Sequence, residues 1–275
     1  MKILKYITIL SAVLVLFSCT KHKLKFDNIP VDETMAEFQL HYFEPINNVA
    51  ANYIDSVYVN NTLYSSVNGA GQLLPYNGVP GGATGRFFTV KAGKVNFKFY
   101  RKENLIYDFD AELPARKNNV FVYDLTKAPV VIDNIYPYND GLPKVPGTDS
   151  VAYVRFFNFL YENATTPYQG KLQYQYKDVR TNEWKNVGGP VAFGEATSRE
   201  AVKVVKTVHN SSGYCRVYYR ILDDNGDILK VANSSLKMID YSDYWTTYIG
   251  RAYMHIFRGI RTAKPTCAVS VWTSL

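Results

Sequence analysis

Three cysteines, four histidines and four methionines in 275 residues leave little from which to build a metal or redox centre. Neither HExxH nor CxxC occurs, so the usual zinc spacings are absent and no metal or other cofactor is expected. There is no GxSxG elbow, and the glycine-rich GGATG at 81–85 lacks the GK[ST] ending of a phosphate loop. An enzyme is therefore disfavoured. No arginine-rich run offers the concentrated basic face that a nucleic acid needs. No window of helical length repeats apolar residues at three and four with caps, which removes the helical bundles. No apolar run reaches the ~20 residues of a membrane-spanning helix.

What the chain does have is strand-forming apolar and aromatic material. Hydrophobic residues make up 47% and aromatics 15%, too much for a disordered chain. Tyrosine alone contributes 23 residues and favours strands and half-wet surfaces. The net charge of +7 comes from lysines and arginines scattered among acids. Their one cluster, Lys21, Lys23 and Lys25, is placed to rest on anionic head groups or to serve as a soluble tether.

The beginning of the chain explains that placement. Lys2 and Lys5 precede an apolar run from Ile7 to Phe17, and Ser18 supplies a small residue, which is the layout of a secretory signal over 1–18. Leu16-Phe17-Ser18-Cys19 resembles the lipobox of bacterial lipoproteins, which implies that Cys19 carries lipid and that 19–35 is a tether. Phe17 departs from the small residue of the strictest motif, and an ordinary cleaved signal with an incidental cysteine is the alternative.

From Phe38 onward the period is two. Phe38, Leu40 and Tyr42 alternate with Gln39 and His41, predicting a half-buried strand, and Ile54 to Val59 predicts another, closed by Asn60-Asn61. Val67 to Gly85 reads as a long loop. Arg86 to Val90, Val95 to Phe99 and Leu105 to Leu113 predict an antiparallel meander with a turn at Lys91 to Lys94. Asn134 to Thr148 holds Pro137, Gly141, Pro143, Pro146 and Gly147, so a linker is expected at 136–149 between domains at 36–135 and 150–275. The halves align loosely: the Phe38 strand with Val154 to Phe159, and VNFKFYRKENLIYDF with CRVYYRILDDNGDILKV, as in a duplication.

Several constellations bear on function. Asp223, Asn225 and Asp227 have the alternate spacing of calcium ligands, but Ile228 and Ser234 stand where an EF-hand needs Gly and Glu, and Asn225-Gly226 reads as a hairpin turn. Asp108, Asp110 and Glu112 lie ~6.5–7 Å apart along one strand face, within reach of glycosidase spacing, yet on a face expected to be wet. Cys215 and Cys267 both fall on apolar faces; a disulfide and two buried thiols stand as equal alternatives. Tyr241, Tyr244, Trp245 and Tyr248, with Asp243, offer surfaces for stacking on sugar or protein, or else pack a core.

Val154-Arg155-Phe156-Phe157-Asn158-Phe159, Asp55 to Asn60, and the Thr89-Val90-Lys91-Ala92-Gly93 turn into Val95 to Tyr100 resemble the DUF4397 domains of Bacteroidetes envelope lipoproteins. The resemblance implies immunoglobulin-like or transthyretin-like sandwiches with no catalytic residues to carry over. The expectation is an all-β chain of two antiparallel β-sandwich domains, lipid-anchored at the outer membrane, on its periplasmic or its outer side. It would act as a non-catalytic module presenting loops to a glycan or protein; the alternatives are an adhesin or fimbria-type subunit and, last, a glycan-active enzyme.

Overall fold

The protein was analysed as a computed structural model, which describes residues 34–46, 49–66, 74, 87–134, 150–204 and 214–274. The expected signal, Cys19 and most of the tether lie outside the described residues. So do the loop at 67–85 apart from Leu74, and the linker at 136–149.

The fold is all-β. In the first half, β1 (Met35–Tyr42), β4 (Phe88–Lys91), β7 (Lys117–Val122) and β8 (Val130–Asp133) form a sheet in the order β4-β1-β7-β8. A second sheet, β3-β2-β5-β6, uses β2 (Ser56–Val59), β3 (Thr62–Ser66), β5 (Gly93–Arg101) and β6 (Asn104–Leu113). Phe38, Leu40 and Tyr42 of β1 meet Phe97 and Phe99 of β5 between the two sheets; the Phe38 and Phe97 rings meet edge to face at 5.4 Å. Asn60 and Asn61 both take positive φ, as a two-residue hairpin turn requires, and Lys102 and Glu103 do the same between β5 and β6.

The meander expected from the sequence is broken at one point. β4 pairs with β1 in one sheet and β5 with β2 and β6 in the other, so the Lys91 to Lys94 stretch is a crossing between sheets and not a hairpin. Gly93, at φ +110°, takes a conformation that side-chain-bearing residues rarely adopt, which lets the chain change layers there.

The second half repeats this plan. β9 (Ser150–Tyr161), β12 (Glu200–Val204), β17 (Ala252–Ile260) and β18 (Ala268–Ser274) form β12-β9-β17-β18, the counterpart of β4-β1-β7-β8. β10 (Gln173–Lys177), β11 (Trp184–Asn186), β13 (Tyr214–Leu222) and β16 (Ser242–Tyr248) form β11-β10-β13-β16, the counterpart of β3-β2-β5-β6. In both halves the first strand runs parallel to its neighbour, β1 with β7 and β9 with β17, so these sheets are mixed and not purely antiparallel. A parallel pair needs a long crossover, and the intervening strands supply it. The counterpart of β6 is β16; the Ile228 to Val231 run aligned with it by sequence starts back along β13, with Ile228 opposite Leu222 and the Leu229 N–H donating to the Ile221 carbonyl, and then leaves it for an inserted hairpin of β14 (Lys230–Ala232) and β15 (Met238–Asp240).

Asp32–Leu275 forms one compact unit because the two halves share a core. Phe43 and Phe121 from the first half pack against Phe157, Phe159, Met254 and Ile256 from the second. Arg155 reaches across to Asp133, and the Tyr161 hydroxyl donates to the Tyr123 carbonyl at 2.9 Å. Four sheets are thus stacked with three apolar layers between them. The face of β1 that alternation assigns to water is therefore dry: Gln39 and His41 are buried in the shared layer, His41 stacked on Phe121 at 4.8 Å.

Candidate functional site

At the centre of the stack β1, β7, β9 and β17 are largely buried on both faces, whereas each outer sheet turns one face to solvent. The outer face of the first half carries both signs of charge. Lys94 Nζ pairs with Asp110 at 2.8 Å, Asn96 Nδ2 donates to Asp108 at 2.8 Å and to Asp110 at 3.1 Å, and Lys98 Nζ donates to Asn61 at 3.1 Å. Asp110 is held below the usual carboxylate range by its bond from Lys94, then by that from Asn96. Asp108, Asp110 and Glu112 all stand in solvent. A glycosidase proton donor needs a carboxyl in a desolvating pocket, and these three side chains are open to water.

The outer face of the second half differs. Period-two alternation turns Gln173, Gln175 and Lys177 outward from β10, Arg216, Tyr218, Arg220 and Leu222 from β13, and Tyr244 and Thr246 from β16. Trp184 lies opposite Lys177, and Tyr218 opposite Tyr244. Tyr176 opposes Tyr219, so Lys177 and Tyr218 are the next step of the same ladder. One row across four strands therefore reads Trp184, Lys177, Tyr218, Tyr244, about 14 Å at the ordinary strand spacing. The row beside it reads Asn186, Gln175, Arg220, Ser242.

Cations and rings interlock along these rows. The Arg220 guanidinium lies 4.3 Å from the centre of the Trp184 ring and that of Arg216 4.2 Å from Tyr244, while Lys177 Nζ is 5.9 Å from Trp184. Tyr218 and Tyr244 meet at 5.9 Å and remain 51% and 45% exposed. Arg220 Nε donates to Gln175 Oε1 at 2.8 Å, and Gln175 Nε2 donates onward to Asn186 Oδ1 at 2.8 Å. This relay consumes acceptors and leaves donors at both ends. Among the described residues, Lys177, Arg216 and Arg220 have no carboxylate partner.

The rows border a groove of ≈270 Å³ lined by Lys171, Gln173, Gln175, Asn186, Asp223 and Asp224. On its acidic wall one oxygen of each carboxylate is held by backbone. Asp223 Oδ1 accepts the N–H groups of Asn225 and Asp227, and Asp224 Oδ1 accepts that of Lys171, so these oxygens shape a turn. The edge strand bearing Trp184 is pinned by Asp178. Burial opposes the charge on Asp178, but Lys185 Nζ at 2.6 Å and the N–H groups of Arg180 and Thr181 outweigh it and hold the carboxyl below its usual range.

The aromatic residues expected at a ligand surface are divided by the fold. Trp245 is only 4% exposed and meets His255 edge to face at 4.7 Å within the core. Tyr241 packs on Phe257 at 4.8 Å, accepts the Val269 N–H, and is pushed up to about 12 by burial. Both take the core role that the sequence left open beside the ligand surface. Tyr248 is half-buried beneath the Arg251 guanidinium, 4.3 Å from its ring. Tyr244 alone of the four joins the outer rows. Strict alternation along β16 would have separated Tyr244 from Trp245, and the same rule applied to β13 would have found Arg216, Tyr218 and Arg220.

In this structure Cys215 and Cys267 stand as buried thiols. Desolvation pushes the Cys267 thiol up to about 12, which removes it as a nucleophile.

No protein-family model matches the chain, and no curated protein does. Among solved structures it is similar to a leucine-rich repeat protein from Bacteroides thetaiotaomicron, at 10% identity and TM-score 0.20 over 82% of this chain and 26% of that one. It is similar to the Bacillus anthracis TIE protein at 10% identity and TM-score 0.23, over 82% and 34% of the two chains. A candidate cell adhesion protein from Bacteroides uniformis gives 10% and 0.23 over 86% and 96%. The chain thus spans between a quarter and about a third of the first two.

Proposed function

We propose that this protein is a non-catalytic binding module of a bacterial cell envelope, tethered by lipid on Cys19 at the outer membrane, that holds the outer sheet face of its second half toward a glycan or protein partner. The observation that carries this reading is the contrast between the two outer faces: one sets lysines among the acids of β6 and pairs Lys94 with Asp110, the other leaves tyrosines exposed and three cations without carboxylate partners. The exposed acids of β6, and the hydrogen-bonded acids beside the groove, support a module without turnover. The signal-like beginning of the sequence and its lipobox-like Leu16 to Cys19 support the tether, and the DUF4397-like motifs agree with it.

Two experiments test the reading. A glycan array probed with the chain from Thr20, which retains the whole compact unit, is expected to return specific binders and no hydrolysis products. Turnover abolished by Asp108→Asn or Asp110→Asn would replace the binding module with an enzyme. Mass spectrometry of the mature protein is expected to find lipid on Cys19; an unmodified terminus beyond it removes the tether.

The inserted hairpin favours a second reading as an assembly subunit. Leu236, Met238 and Ile239 are 51%, 39% and 43% exposed on or beside β15, whose described pairing is with β14 alone. Concentration-dependent oligomers of the soluble chain, lost in Met238→Lys, would favour it.

A further inference from the structure

The duplication supplies an internal control for the outer faces. β5 and β6 correspond to β13 and β16, and each pair faces outward at the same place in its half. In the first half Asn96 and Lys98 stand opposite Asp110 and Asp108. In the second, the partners opposite Arg216, Tyr218 and Arg220 are Thr246, Tyr244 and Ser242. At the positions where one copy places carboxylates, the other places hydroxyls and a ring. The unanswered positive charge is therefore built into the second copy at defined ladder positions.

Resting on the binding-module reading above, we propose that the face formed by Trp184, Lys177, Tyr218, Tyr244, Arg216 and Arg220 is a binding site for an acidic polysaccharide, whose carboxylate or sulfate groups take the place held by Asp108 and Asp110 in the other half. Charge complementarity selects the occupant. The Arg220–Gln175–Asn186 relay leaves only donors outward, the arginine Nη groups at one end and the asparagine amide at the other, and donors of this kind suit an acceptor-rich ligand. The rings select a sugar over a bare anion. Trp184, Tyr218 and Tyr244 offer apolar surface for the C–H faces of pyranoses, and the guanidinium groups resting on Trp184 and Tyr244 are aligned before any ligand arrives. A row about 14 Å long takes a short run of an extended chain across the strands, not a single residue.

The test uses the chain from Thr20 with alginate, chondroitin sulfate, dextran and an oligothymidine as probes in physiological salt, read by tryptophan fluorescence and calorimetry. Binding to alginate or chondroitin sulfate, weakened at least tenfold in Arg216→Gln/Arg220→Gln and unchanged in Lys98→Gln on the opposite outer face, supports the site. The preferred probe tells carboxylate from sulfate. Circular dichroism confirms that each variant is folded, and Trp184→Ala provides an independent surface variant expected to lose binding as well. Equal affinity for oligothymidine, or an equal loss in Lys98→Gln, reduces the effect to bare charge and overturns the proposal. Binding to dextran alone overturns the acidic ligand but leaves the binding module standing. Failure to bind any of these probes, together with an empty glycan array, sinks both.

Discussion

The rings of Phe121 and Phe159, one from each half of the chain, lie 4.8 Å apart in the layer the two sandwiches share. Both side chains are fully buried, and His41, Phe43 and Phe157 complete the contact around Phe121. A domain boundary of the ordinary kind leaves relative motion open; this one is a core.

The halves are therefore expected to unfold together. Urea denaturation followed separately by tyrosine and tryptophan signals should give coincident transitions. Phe121→Ala should lower stability by ~3–5 kcal/mol, the cost of a large cavity in a packed core. Two resolved transitions in the unaltered protein would show that the shared layer does not couple the halves.

Two buried histidines make stability depend on pH. Burial drives His41 down to about 3, against the pull of its Asn119 hydrogen bond, and drives His255 down to about 3. Unfolded, each titrates near ~6.5. Between those values the unfolded chain binds protons that the folded chain refuses, so stability is full above the upper value and falls as pH drops toward the lower. Each residue contributes a slope approaching ~1.4 kcal/mol per pH unit in that window. His41→Gln/His255→Gln should flatten the urea midpoint between pH 6.5 and 4 relative to the parent; parallel curves would contradict the burial of these rings.

Gly259 is expected to tolerate no side chain. At φ +98°, a Cβ there would sit 2.8 Å from the Cys267 Cα and 2.9 Å from the Thr266 carbonyl oxygen, both backbone atoms of the adjoining segment. Gly259→Ala should cost at least ~1–3 kcal/mol from strain, with the clash added to it. Thermal melts of this variant beside Gly189→Ala, whose Cβ meets nothing within 4 Å, make the comparison.

The thiols should be silent in the native protein. Cys215 and Cys267 are both buried, so a thiol-specific reagent should label neither until denaturant is added, whereupon both react. Rapid labelling of the folded chain would place at least one of them at the surface.

Much of the fold could be read from the period of two, because alternating side chains and turn residues act locally. Phe38, Leu40 and Tyr42 fall inward as expected, and Asn60-Asn61 turns the chain. What could not be read depends on partners distant in sequence. Gln39 and His41 look wet by alternation, and only the docking of β9 and β17 makes them dry. The β14–β15 insertion displaced the expected counterpart of β6, because a short apolar run such as Ile228 to Val231 serves any strand equally well. At the candidate site the error was one of grouping: Tyr244 and Trp245 are neighbours in sequence but face opposite sides of one strand. Arg216 and Arg220 passed unnoticed because a cation lacking a partner is visible only once the opposing strand is known.

The four-sheet stack also limits how such a protein can lengthen. Joining the two copies used the face of β4-β1-β7-β8 that carries His41 and Phe121 against the face of β12-β9-β17-β18 that carries Phe157 and Phe159, and the outermost faces carry charge. A third copy could not be appended by the same contact. By this contact the stack holds two copies, and a longer array would have to grow along strand edges.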